Sequence, residues 1–229
     1  MRIDWQFLVS DRVLEAVWSG FQYTISISLL SAIGGLLIAI AVAFLQVSGW
    51  AWLSRVGRGY VAVFRNIPLI VQLFFWYFGL PMVVVPRNLP FLIGGSYEIT
   101  VAVLVVSLYV GAYASEVIRA GIEAIPFGQF EAALASGLNQ PQAFRYIIIP
   151  QLIPIVLPGM TNEAINVVKN TSLTMAIGVP ELTSQAQQIE AETFRGFEAM
   201  TAVTAAYIVV STSIFVTMAG LERVVRRET

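Results

Sequence analysis

Apolar residues along this chain gather into five long blocks, separated by short polar stretches. The first block runs from about Phe21 to Val47 and contains the pair Gly34-Gly35. The second runs from about Tyr60 to Val85 and carries Pro68 and Pro81, which predict a kink or a helix end. The third covers about Ile99 to Ile122 and the fifth about Met200 to Leu221. The fourth, about Leu152 to Val179, is the least apolar, because Glu163, Asn166, Lys169 and Asn170 lie inside it. Each block approaches or exceeds the roughly 20 residues that cross a bilayer. With no water to satisfy open backbone groups there, the blocks must be helices. The pattern thus predicts an all-α integral membrane fold of five transmembrane helices, forming one domain over residues 1–229. No second soluble domain and no short repeat is visible. The longest polar stretches are 123–151 and 180–199.

Composition strengthens this picture. The 229 residues are 57% hydrophobic and only 12% charged, where soluble domains are nearer a quarter charged. The net charge of −1 gives nucleic acid nothing to bind. There are no Cys and no His, so disulfides, Cys/His zinc sites and His- or Cys-based catalysis are excluded. Asp4, Asp11 and Glu15 make the N-terminus unlike a cleavable signal peptide. A short surface helix with Trp5, Phe7 and Trp18 at the interface is the expectation there.

Basic residues predict the orientation. Arg55, Arg58, Arg65, Arg119, Arg145, Arg223, Arg226 and Arg227 fall on one side; Arg2, Arg12, Arg87 and Arg195 fall on the other, together with Glu181, Glu190, Glu192 and Glu198. The N-terminus is expected outside and the C-terminus in the cytoplasm.

Residues 123–151 are then cytoplasmic. Phe127 to Leu138 reads as a short amphipathic helix, with Phe130, Leu134 and Leu138 at helical spacing. Gly137 breaks it, Pro141 begins another turn and Pro150 ends the segment. Within this loop, Glu131-Ala132-Ala133 followed by Gly137, Ile147 and Pro150 resembles the EAA loop through which ABC-importer permeases dock on their ATPase. An interfacial helix lying in the headgroups is the competing reading, weakened by few basic residues.

The resemblance extends over nearly the whole chain. Gly20-Phe-Gln-Tyr-Thr24, Phe64-Arg-Asn-Ile-Pro-Leu-Ile-Val-Gln-Leu-Phe74, Tyr77-Phe-Gly-Leu-Pro81, Ala112-Tyr-Ala-Ser-Glu116 with Arg119-Ala-Gly121, and Val168-Lys-Asn-Thr-Ser-Leu173 look like polar amino-acid permeases of the ABC superfamily, type I importer fold. Ile3-Asp4-Trp5, Trp18-Ser-Gly-Phe-Gln22 and Phe64–Ile70 look most like glutamate/aspartate permeases. This family resemblance implies the partners: a pair of ATP-binding ABC ATPase subunits, a second permease subunit and an extracytoplasmic substrate-binding protein. The second permease is either a similar, non-identical chain, which the resemblance favours, or another copy. It also implies a bacterial inner-membrane location, inward transport, and no cofactor in this chain, ATP and Mg belonging to the ATPase. The chain itself would be a transport subunit, not an enzyme.

Candidate substrate contacts follow from polar residues in apolar spans, which are costly unless they face a cavity or each other. Glu163, Asn166 and Asn170 are offset by three, four and seven residues and share a helix face. Lys169 adjoins it, and Thr171 and Ser172 follow. Glu163 suits an α-ammonium group; Asn166, Asn170 and Thr171 can donate to a carboxylate. Permeases for basic amino acids often resemble Lys-Asp-Thr-Ser-Leu where this chain has Lys-Asn-Thr-Ser-Leu. Asn170 therefore implies an acidic or neutral polar amino acid. The competing view is that Glu163 and Lys169 are satisfied within the subunit pair.

Gln72 is a further path candidate, with a helix–helix hydrogen bond as the alternative. Glu116 and Arg119, three apart, read as an intrahelical pair rather than a gate. Phe74-Phe75-Trp76-Tyr77-Phe78 reads as an interfacial belt, and Glu190 and Glu192 as solvated acids or a docking point for the binding protein. Two other classes remain to be weighed. An ion channel lacks a visible ring-forming selectivity sequence, and a membrane enzyme lacks His, Cys and a paired-carboxylate cluster.

Overall fold

The computed structural model describes residues 6–7, 10–79 and 96–228, with side chains to 225. Helix α1 (Asp11–Val47) is a single rod of 37 residues. The expected surface helix at its start is not separate: Trp18 lies on α1 and stacks on Phe21 with 5.6 Å between ring centroids. Trp5 is outside the described residues.

The second block departs most from expectation. It is a helix α2 (Ala51–Asn66) and a helix α3 (Leu69–Phe74) that runs into a wide, π-type turn at Phe75–Gly79. The two arms are bent by 101°. Pro68 is the cause. Ile67, as the residue before proline, is extended at φ −102°, ψ 127°. Pro68 also has no N–H to give the Phe64 carbonyl four residues back. Gln72 supplies the missing donor: its Nε2 bonds the Phe64 oxygen at 2.9 Å and the Ile67 oxygen at 2.8 Å. Beyond the turn, Tyr97 Oη donates to the carbonyls of Trp76 and Tyr77. Only Phe74, Phe75 and Phe78 of the aromatic run are exposed; Trp76 and Tyr77 are half-buried. Pro81 is outside the described residues.

Helix α4 (Tyr97–Ala124) is the central rod. Of its most apolar stretch, 61% is buried by the rest of the chain, against 17% for each of the last two long helices. Small residues let the backbones close in. A Cβ on Gly111 would lie 2.7 Å from Ile38 of α1, and one on Gly34 would lie 2.6 Å from Ser107 Oγ. Around this contact Ile27, Leu73, Val105, Val106, Val167 and Val179 form the core.

After Pro126 come helix α5 (Phe127–Ala135), a single turn α6 (Gln140–Ala143), a wide turn at Phe144–Ile148 and helix α7 (Ile149–Thr171). Pro150 does not end the polar segment, as expected from sequence. It sits in the first turn of α7, where a missing N–H is least costly. The rod therefore starts at Gln140 rather than near 152 and continues to Ile177. Its last turn, Ser172–Ile177, is 3₁₀ and closes on Gly178 at φ 89°.

Helix α8 (Leu182–Thr193) packs on the start of α1 and on α9 (Gly196–Glu228) through Val13, Leu182, Ala186, Ile189, Ala199 and Val203. Among the described residues, four helical rods are long and apolar enough to cross a membrane, five if the bent α2–α3 pair is one span.

Candidate functional site

Two regions matter, the polar face of α7 and the α5–α6 loop. On α7, Val167, Val168 and Thr171 turn into the core. That rotation leaves Glu163, Asn166 and Asn170 half-buried and Lys169 exposed. The sequence-predicted set divides accordingly. Glu163, Asn166 and Asn170 stay together on the sparsely covered side of α7. Thr171 does not join them: it is fully buried and its hydroxyl donates back to the Val168 carbonyl at 2.7 Å. Ser172 donates to the Lys169 carbonyl at 2.7 Å. Gln72 is buried and its amide is taken up by the α2 carbonyls. The hydrogen bond between elements is the role its Nε2 fills.

Sequence reading missed three side chains that face this region. Arg65, counted there as a loop cation, ends α2 just before the Pro68 bend. Its guanidinium carbon lies 4.9 Å from the centre of the Tyr113 ring. It acts electrostatically on both Glu163 and Tyr109, and Asn166 is within reach of Glu163. Tyr109 and Tyr113 stack at 4.9 Å and their hydroxyls are 3.2 Å apart. A carboxylate on α7 and a guanidinium on α2 thus lie in electrostatic reach of each other and of a tyrosine on α4. One end suits an ammonium group and the other a carboxylate. A signal for Arg65 existed in sequence, its place two residues before Ile67-Pro68, but charge counting hid it.

Arg65 also reaches Glu116, at 3.7 Å. Glu116 and Arg119 form the expected intrahelical pair, with Arg119 Nε and Nη2 on the two carboxylate oxygens at 3.2 and 2.8 Å. The pair is more than local. Gln46 of α1 donates to Glu116 Oε1 at 2.6 Å, and Arg119 bonds Glu123 at 2.7 Å. A cavity of about 350 Å³ opens beside them, lined by Gln46, Arg58, Val61, Glu116, Arg119 and Glu123.

In the loop, α5 exposes Glu131 and Ala132 and buries Ala133. Phe127 is 71% exposed. Gly137 has φ 89°. The N–H of Leu138 bonds the Ala133 carbonyl and that of Gly137 the Leu134 carbonyl. This is the Schellman helix end, which favours Gly at the left-handed position. Asn139 and Gln142 then cap α6 reciprocally. Ile147 is half-buried in the wide turn and Pro150 is exposed. The result is a small, rigid prominence with an outward face of Phe127, Glu131 and Ala132.

On the α8 side, the acids seen in sequence are not uniformly solvated. Glu181 is fully buried and caps α8, accepting from the N–H groups of Thr183 and Ser184 and from Tyr207 Oη at 2.6 Å. Burial pushes its carboxyl above the ordinary carboxylate value, against the opposing pull of the Tyr207 hydroxyl and the two N–H groups. Glu192 pairs with Arg12, and Glu190 is exposed. Among the described residues no cluster of acids forms a metal site.

Residues 35–227 match the family described as the binding-protein-dependent transport system inner membrane component. The chain belongs to that family. The permease is 35% identical over 243 residues to the glutamate/aspartate import permease GltJ of Escherichia coli K12, covering 99% of this chain and 97% of that one. It is 34% identical over 224 residues to the glutamine transport system permease GlnP of the same strain, covering 97% and 98%. Among solved structures it is similar to an amino acid ABC transporter, with TM-score 0.85, 32% identity and coverage of 97% and 99%. The permease is thus a multi-pass membrane subunit of the amino-acid ABC importer class, a transport component and not itself an enzyme.

Proposed function

We propose that the permease moves acidic amino acids, glutamate and aspartate, into the cell, and that the substrate passes between α7 and the α2–α4 face. The observation that carries this is Arg65 at the end of α2, its guanidinium over the Tyr113 ring at 4.9 Å and near enough to Glu163 on α7 to act on it electrostatically. An amino acid would set its ammonium group on Glu163 and a carboxylate on Arg65, with Asn166 and Asn170 as further polar contacts. Each charge-assisted bond of this kind contributes about 1.5–3 kcal/mol. Asn170 leaves the end of the site without a second anion, which suits an acidic side chain. Opposite or like charges about 4 Å apart change binding by several kcal/mol at an effective dielectric near 20.

The name of the glutamate/aspartate relative supports the acidic substrate; the glutamine relative supports a neutral polar one. Transport is by alternating access, driven by a partner ATPase pair seated on α5 and α6 on the cytoplasmic side. Substrate arrives on an extracytoplasmic binding protein, and a second permease subunit, similar to this one but not identical, closes the path. The N-terminus faces out and the C-terminus in.

Competition of labelled glutamate uptake in proteoliposomes tests the substrate. Glutamate and aspartate are expected to compete fully, and arginine and lysine not at all. Asn170→Asp is expected to weaken glutamate-stimulated transport. Full competition by glutamine but not aspartate would favour the neutral reading; unchanged selectivity in Asn170→Asp would remove Asn170 from the site.

A further inference from the structure

The link between a filled site and the ATPase is where the residues around Glu116 bear on function. Arg65 stands between two carboxylates. Glu163 of α7 is near enough to feel its charge, and Glu116 of α4 lies 3.7 Å from it. At that separation the Arg65–Glu116 contact is a loose ion pair rather than a hydrogen bond. A bidentate carboxylate takes two of the five guanidinium donors; bound at the edge that includes Nη1, the atom nearest Glu116, a substrate carboxylate competes with Glu116 for Arg65. Glu116 has other holders: Gln46 at 2.6 Å and Arg119 at 2.8 Å. Those two side chains belong to different rods. Gln46 ends α1, whose next carbonyl neighbourhood holds α2 through Ser54 Oγ on the Gln46 carbonyl at 3.0 Å. Arg119 reaches on to Glu123, and three residues later Pro126 opens α5. The cavity beside the cluster leaves room for Glu116 and Arg119 to rearrange without displacing packed backbone.

We propose that Glu116 is a positioning residue that relays substrate occupancy to the coupling loop: it holds Gln46 and Arg119 tightly and Arg65 loosely, and a substrate carboxylate on Arg65 removes the loose pairing. The proposal rests on the reading above that Arg65 receives a substrate carboxylate. Arg65 tethers Glu116, and with it Gln46 and Arg119, to the bend of α2. When substrate takes Arg65 that tether is lost, and the Glu116–Gln46–Arg119 cluster, at the ends of α1 and α4 and the root of α5, is released from the bend of α2. Coupling of this kind needs a different set of contacts in each state, and here the different contact is which carboxylate Arg65 holds.

The test uses the full transporter, with its second permease, ATPase subunits and binding protein, in proteoliposomes. Glutamate binding and glutamate-stimulated ATP hydrolysis are measured on the same preparations. Glu116→Gln is expected to bind glutamate at least as tightly as wild type, since Arg65 loses its competitor. Its stimulation by glutamate is expected to fall about fivefold or more, the lower range of ordinary coupling factors. Glu116→Asp, which keeps the charge, restores much of that stimulation. Gln46→Leu leaves every charge in place and is expected to lower stimulation in the same direction; it decides the matter if Glu116→Gln does not assemble. Wild-type stimulation in Glu116→Gln, or in Gln46→Leu should the former not assemble, overturns the relay. Arg65→Gln separates the two proposals. It is expected to lose about tenfold in glutamate affinity, the equivalent of about one charge-assisted hydrogen bond. Unchanged affinity there removes Arg65 from the substrate site and the relay with it. Lost affinity in Arg65→Gln beside full stimulation in Glu116→Gln overturns the relay alone.

Discussion

Gln72 and Glu181 show how single polar residues are accommodated in this apolar chain. Each is buried, and each satisfies backbone groups that helix geometry leaves open. Gln72→Leu removes the donor that replaces the missing Pro68 N–H, leaving the Phe64 and Ile67 carbonyls without their Gln72 bonds. The expected loss is about 1–3 kcal/mol, read as a lower unfolding midpoint in detergent with no change in substrate preference. Glu181 gives a pH signature. Its carboxyl is raised in the fold, so the folded state binds the proton more tightly than the unfolded chain does. The stability it contributes is fully present below the ordinary carboxylate value and is lost as pH rises through the raised value. Glu181→Gln should abolish that component: the difference in midpoint between variant and wild type should grow in the variant's favour as pH rises. A difference independent of pH would contradict the buried, raised carboxyl. A hydrogen bond for Gln72 was among the readings of the sequence, but not its partners at the Pro68 bend, and the role of Glu181 was not legible. Glu181 was one of four acids in a polar stretch, and nothing local marks it as the one that turns inward onto Tyr207.

At the scale of elements, the apolar blocks located the rods because hydrophobic length is a local property. Their ends and bends were less legible. Pro68 was visible, yet the 101° turn depends on where Gln72 and the α4 surface let α3 go. Pro150 reads as a terminator in sequence, but a proline in a first helical turn begins a helix as readily as it closes a loop. The docking loop was the most legible element, since its helix, Gly137 and second turn are all set by residues within a dozen positions. Gly137→Val tests it. At φ 89° an L side chain costs about 1–2 kcal/mol, and a β-branched one more. The expected outcome is an intact membrane domain from which the ATPase no longer copurifies. Retention of the ATPase at wild-type stoichiometry would contradict the docking role. Close rod packing gives a second element-scale prediction. A Cβ on Gly121 would sit 2.3 Å from Val156 Cγ1, so Gly121→Val should separate α4 from α7 and cost about 1–3 kcal/mol, read as a lower melting temperature.

Over the whole molecule, the two functional regions are joined by continuous helix. α4 leads from Tyr109 and Tyr113, past Glu116, into the root of α5, and the rod that starts at Gln140 carries the loop's far end up to Glu163 and Asn170. The sequence placed the loop beside the fourth block but showed only one wall of the site. Arg65 lies about a hundred residues from Glu163, and no periodicity reports that proximity. Fold class and the local build of the 127–150 loop were therefore legible, while the cation near Glu163 required tertiary structure. The central claim is that the polar face of α7 receives the amino acid during ATP-driven import. ATP-dependent uptake of labelled glutamate by the reconstituted transporter bearing Glu163→Gln tests it most directly. Loss of the charged partner for the ammonium group is predicted to cut uptake at low substrate about tenfold or more, with the ATPase still bound. Uptake equal to wild type would contradict it.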